Sequence, residues 1–133
     1  MSARTLVLAL SAALLLLQPA WYLWLSPPAV LPPLLATVLM ALPIVPALVL
    51  GLLGRPSAGF WAGVTALFYF SHGVMEAWSH PAAALPAWIE TLLATALVFA
   101  ASWRGLQARR AARAARDAAS GPADAGPGAG GTA

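Results

Sequence analysis

Tyr69, His72, Glu76 and Glu90 are the residues of this chain whose types and spacing could hold a proton or a ligand. An α-helix advances about 100° per residue, so Thr65, Tyr69, His72 and Glu76 fall within roughly 60° of one another. They form one polar stripe, with Gly73 beside it. A stripe of this kind should not face lipid, because buried polar groups need partners. The spacing predicts where the partner comes from. A turn centred near residue 81 or 82 returns the next helix to the depth of residues 72–76 at about residue 90, where Glu90 stands. We expect Glu90 to face the stripe and bond His72 or Tyr69. The competing reading has Glu90 reaching interfacial water, or capping the start of its own helix, where the dipole favours an anion.

The same residues are poor material for other chemistry. His72 and Glu76, four apart, could place two ligands on one metal, but only His80 and Glu90 could add to them. The chain has no cysteine, which removes thiolate nucleophiles and cysteine-ligated zinc together. No nucleophile elbow, phosphate loop, HExxH or Ser/His/Asp array is present. We expect no metal, no cofactor and no enzyme.

The elements that must position the stripe are set by composition. The 133 residues are 61% hydrophobic and 8% charged, against about 25% charged in a soluble domain. Lipid is the solvent that fits. Four apolar stretches of 20 to 23 residues follow one another, at about 5–26, 31–53, 58–78 and 84–103. Twenty helical residues span roughly 30 Å, the thickness of a bilayer's hydrocarbon core. Lipid cannot satisfy a bare backbone, so each stretch should be a helix. Breaks at Ser26-Pro27-Pro28, Gly54-Arg55-Pro56-Ser57 and Ser79-His80-Pro81 are short, which predicts antiparallel neighbours. The expected fold is an all-α membrane protein: a four-transmembrane-helix bundle of two antiparallel hairpins spanning residues 1–107. Residues 108–133 should add a short basic helical extension and a disordered, low-complexity C-terminal tail from residue 120.

Three local features bear on that plan. Pro43 and Pro46 remove backbone donors inside the second stretch, and Pro19 does so in the first. Each could mark a hinge or cavity, or a static kink that fits the bundle. The N-terminus could be a signal peptide, but a cut after Ala20 would put Gln18 where a small residue is wanted, so it is read as a span. Gly59 and Gly63 form a GxxxG, either a homodimer face or a contact with the second or fourth helix of the same chain.

All seven basic residues are arginines, and five lie in residues 104–116. Arg4 precedes the first span, Arg55 lies between the second and third, and Arg104, Arg109, Arg110, Arg113 and Arg116 follow the fourth. The other two loops carry none. This seven-to-zero split predicts both termini in the cytoplasm. Tryptophans agree, with Trp21, Trp24, Trp78 and Trp88 near the outer ends and Trp61 and Trp103 near the inner ends. The placement points to a membrane rather than to nucleic acid. The C-terminal arginines either bind anionic lipid headgroups or only fix topology.

The runs LPIVPALVLGLLGRP, FWAGVTALFYFSHGV and AWIETLLATALVFAASWR resemble the family known as domain of unknown function 2069. The resemblance covers about residues 20–107. Tyr69-Phe70 with Gly73-Val74, and Trp88-Ile89-Glu90, are its most specific pieces. Glu90 matches a family glutamate, whereas His72 and Glu76 stand where the family varies. The resemblance implies a small proteobacterial inner-membrane protein with four spans and no established activity.

Two functions follow. The first is a non-enzymatic scaffold, or an accessory subunit with a membrane-protein partner or a second copy of itself. The second is a small transporter or proton-coupled channel using Tyr69, His72, Glu76 and Glu90. A proton path needs polar stations across the whole membrane. In the inner half the sequence offers Thr65, Thr95 and Ser102, but no carboxylate or histidine. Depth therefore favours the scaffold.

Overall fold

The computed structural model describes residues 2–121, and all regular structure among them is helical. The expected disordered tail lies, from residue 122 on, outside the described residues. Four helical segments follow one another: α1, Ala3–Leu25; α2, Pro33–Leu52; α3, Ala58–Ser79; and α4, Pro81–Ala119. Three of them, α1, α2 and α4, are long and apolar enough to cross a membrane. Helix α3, with 22 residues, is about 33 Å long but less apolar, because it carries the polar stripe.

Each irregularity in the helices sits at a proline. In α1, Pro19 is followed by a wide π turn over Trp21–Leu25, closed by the Ser26 amide donating to the Trp21 carbonyl at 2.9 Å. The extra residue in such a turn alters the facing of the chain. Trp21 and Tyr22, although consecutive, both point inward and are buried. In α2, the turn Leu42–Ile44 tightens to 3-10 geometry around Pro43. Both features are built into the packing, with Trp21, Tyr22 and Ile44 buried beside them.

Close approach of α3 and α4 is set by Gly73. A Cβ at this position would lie 2.5 Å from the Thr91 hydroxyl and 2.8 Å from the Ala87 carbonyl. The core below it is small-residue packing, with Ala62, Ala66, Ala94, Ala100 and Ala101 buried beside Leu14, Ile44 and Leu97. At the other end of α1, the Arg4 guanidinium donates to the carbonyls of Gly51 (3.0 Å) and Leu52 (3.2 Å), closing the last turn of α2. Gly54, at φ 69°, makes the turn that follows.

The GxxxG corrects an expectation. Contact with α2 or α4 within the chain was one of its two expected roles, yet a Cβ on Gly59 or Gly63 would meet nothing within 4 Å. The α3–α4 pair converges at Gly73 and leaves these two glycines open. Among the tryptophans, Trp21 also departs from the belt. It is 1% exposed, because the π turn draws it into the core, while the other five remain exposed on the bundle surface.

Candidate functional site

Glu90 is completely buried, in the first third of α4, and both of its carboxylate oxygens are engaged. The Gln18 amide of α1 donates to Oε1 at 3.0 Å. His72 of α3 lies with Nδ1 at 2.8 Å from Oε2. On its far side, His72 Nε2 is 3.3 Å from the hydroxyl of Tyr22 in α1. Four side chains on three helices thus form one chain: Gln18, Glu90, His72, Tyr22. Their depth follows from the helix rise of about 1.5 Å per residue. Glu90 is nine residues past Pro81, and His72 seven before Ser79, so the group lies about 10–14 Å inside that end of the bundle.

Aromatic rings enclose the imidazole. Trp21 stacks on Tyr22 at 5.3 Å and meets the His72 ring at 5.5 Å, tilted by 53°. Phe68, one turn before His72, lies nearly parallel to it at 6.4 Å. This wall keeps dielectric screening low, so the hydrogen bonds inside it are strong and an unpaired member would be costly. With imidazolium and carboxylate, or with neutral imidazole and carboxylic acid, the pair carries no net charge. The two forms differ by one proton across the 2.8 Å between Nδ1 and Oε2. The group can therefore exist in an apolar bundle without burying a net charge.

Of the residues singled out from sequence, His72 and Glu90 are brought together and two others are not. Tyr69 is completely buried, but its hydroxyl donates to the Met40 carbonyl of α2 at 2.6 Å rather than to Glu90. Met40 lies two residues before the tightened turn Leu42–Ile44 of α2, where the backbone ladder shifts register and a neighbour must satisfy the freed carbonyl. Glu76 is also outside the cluster. One turn from the end of α3, it reaches out to His80, 3.0 Å away and largely exposed. A carboxylate at that level finds water and a local partner, so it is not drawn inward. Thr65 is buried and bonds back to the Trp61 carbonyl of its own helix at 2.8 Å.

Gln18, Tyr22 and Ser11 enter the site without having been singled out. The signal for Gln18 was present, since a carboxamide in the middle of an apolar span needs a partner. Two polar atoms remain unpaired in the buried interior of α1: the side-chain carbonyl oxygen of Gln18 and the hydroxyl of Ser11, seven residues apart on one face. Among the described residues, no three His, Asp or Glu side chains gather as a metal set.

A family model described as predicted membrane protein, DUF2069, matches residues 6–109. The chain belongs to this family. The matched segment begins well upstream of residue 20, so it includes Ser11 and Gln18 of α1 as well as Glu90. No curated protein and no solved structure matches the chain. The family is one of predicted membrane proteins, which agrees with the apolar helices; its description assigns no activity.

Proposed function

We propose that this DUF2069 member is a non-enzymatic, four-span protein of the bacterial inner membrane. It acts as a scaffold or accessory subunit, with both termini cytoplasmic. The observation that carries this reading is the enclosure of Glu90: its oxygens are taken by Gln18 and His72 from two other helices, and none of its surface is exposed. A carboxylate so held is an interhelical clasp. It also explains how α3 can cross a membrane despite its lower apolarity, since its polar face is turned into the bundle. Orientation rests on the arginine distribution. Purification of the full chain under native conditions, with mass spectrometry of co-purifying proteins, tests the accessory role. A stable membrane-protein partner supports it, and a clean monomer weighs against it. A periplasm-active reporter fused after Thr132 should be silent, and an active one would overturn the orientation.

A second reading, proton-coupled transport, is favoured by one observation. Below Glu90 the face of α1 continues with the unpaired oxygens of Gln18 and Ser11, polar positions toward the arginine-rich end. Proteoliposomes carrying a pH-sensitive dye decide between the two. Proton flux abolished by Glu90→Gln would replace the scaffold with a transporter, and absence of flux retains the clasp.

A further inference from the structure

The open glycines of α3 and the first arginines after the span belong to one surface feature. A groove of about 580 Å3 runs between α3 and α4 at the arginine-rich end of the bundle. Its floor is formed where Gly59 and Gly63 face Ala101 and Gly105, positions with little or no side chain. Higher up, Leu67 and Val98 make it apolar, and at its mouth stand Arg104 and Arg109. Arg104 is partly buried, and Trp103, 56% exposed, precedes it. An exposed tryptophan of this kind marks the headgroup level of a bilayer. Among the described residues, no carboxylate lines the groove.

We propose that this groove is a binding site for an anionic phospholipid, with one acyl chain along the glycine floor and the phosphate between Arg104 and Arg109. Charge decides the occupant. A second copy packed glycine face to glycine face would bring the Arg104 and Arg109 pairs of both copies together, unpaired, at the edge of the hydrocarbon. A phosphate neutralises them and can accept bidentate hydrogen bonds from guanidinium. From Gly59 to Leu67 the groove runs about 12 Å along α3, enough for a chain to lie in it rather than brush past. Hydrophobic transfer contributes no selectivity, because the acyl chain is already in lipid. Preference for an anionic headgroup comes from the two arginines, about fivefold each, or about 25-fold together.

The test is native mass spectrometry of the delipidated full chain, titrated with phosphatidylglycerol and phosphatidylcholine of identical acyl chains. The expected result is one retained phosphatidylglycerol, preferred about 25-fold. In Arg104→Gln/Arg109→Gln that preference should fall to near parity. A Cβ at Gly63 meets nothing within 4 Å, so Gly63→Leu, which extends into the groove, should keep the wild-type melting temperature while losing the retained lipid by tenfold or more. Arg113→Gln/Arg116→Gln, beyond the groove, should retain it. Equal losses for the two arginine pairs would reduce the effect to a diffuse basic surface and overturn the site. Retention unchanged by Gly63→Leu would also overturn it. So would a dimer peak that Gly63→Leu abolishes, which would assign the groove to a second copy.

Discussion

Glu90→Leu leaves two donors without an acceptor, the Gln18 amide and the His72 Nδ1–H. A buried unpaired group costs about 1–3 kcal/mol, which sets about 2–6 kcal/mol for the two. Hydrogen bonds between membrane helices are worth less than this, about 0.6 kcal/mol on average and about 1.7 kcal/mol at most, because the partly unfolded chain finds other partners. The expected loss is therefore about 2–4 kcal/mol, toward the lower end of the range. Glu90→Gln should cost under about 1 kcal/mol. Its amide oxygen still accepts from Gln18, and its nitrogen can donate to Nδ1 if the imidazole proton moves to Nε2 and is given to the Tyr22 oxygen. The network reverses direction without losing a bond. His72→Leu removes one partner of the 2.8 Å pair. In the double mutant His72→Leu/Glu90→Leu the shared bond is lost once, not twice. Its destabilisation should be smaller than the sum of the singles by about 1–2 kcal/mol, the upper end of measured membrane couplings. The assay is thermal unfolding of the purified variants in detergent. Strict additivity would mean that Glu90 and His72 do not interact, and the clasp would dissolve into unrelated polar residues.

Three further outcomes are expected. Gln18→Leu should cost less than His72→Leu, under about 1 kcal/mol, because it removes an unpaired buried oxygen along with the donor to Glu90; unfolding of the single variants ranks them. Gly73→Ala should destabilise by about 1–3 kcal/mol, since its Cβ meets the Ala87 backbone, whereas Gly63→Ala should be neutral or stabilising by up to about 1 kcal/mol from helix propensity; a matched pair of melts compares them. Arg4→Ala should lower stability by no more than about 1 kcal/mol through loss of the bonds to Gly51 and Leu52, and faster amide exchange should be confined to the last turn of α2.

The depth match that pairs Glu90 with α3 was legible in the sequence because it rests on arithmetic alone. A short turn fixes the register of two antiparallel helices, and the helix rise then assigns residue to residue. His72 and Glu90 meet for that reason. The inward facing of Trp21 and Tyr22 of α1 was hidden because it depends on backbone detail. The π turn after Pro19 carries Trp21 and Tyr22 inward together, and neither proline spacing nor periodicity predicts that a helix will widen instead of bend. Between His72 and Tyr69 as the partner of Glu90 the sequence did not choose, because the partner of Tyr69 is a backbone carbonyl, and a sequence pattern does not show which carbonyls a tightened turn sets free. Gly59 and Gly63 matched a packing motif, but a motif does not say where two helices cross. The crossing is decided at Gly73, where the Thr91 hydroxyl and Ala87 carbonyl leave no room for a side chain.

Those two devices, the Gly73 contact and the Glu90 clasp, meet on α3, where Gly73 directly follows His72, the residue that joins this helix to Glu90 of α4, and their proximity has a physical reason. Within a bilayer no hydrophobic force holds helices together, because lipid tails are as apolar as leucine. The alanine-rich core below the clasp is nearly featureless, and a core of that kind tolerates rotation and sliding of its helices. Close backbone approach at Gly73 gives van der Waals contact that a slipped register would forfeit. The buried polar chain adds a penalty to every alternative, since rotating α1 or α3 away would leave a carboxylate, an imidazole and a carboxamide facing hydrocarbon. The contact supplies attraction, and the clasp excludes competitors. One Gln, one Glu and one His, together with the close contact at Gly73, thus favour a single packing of α1, α3 and α4.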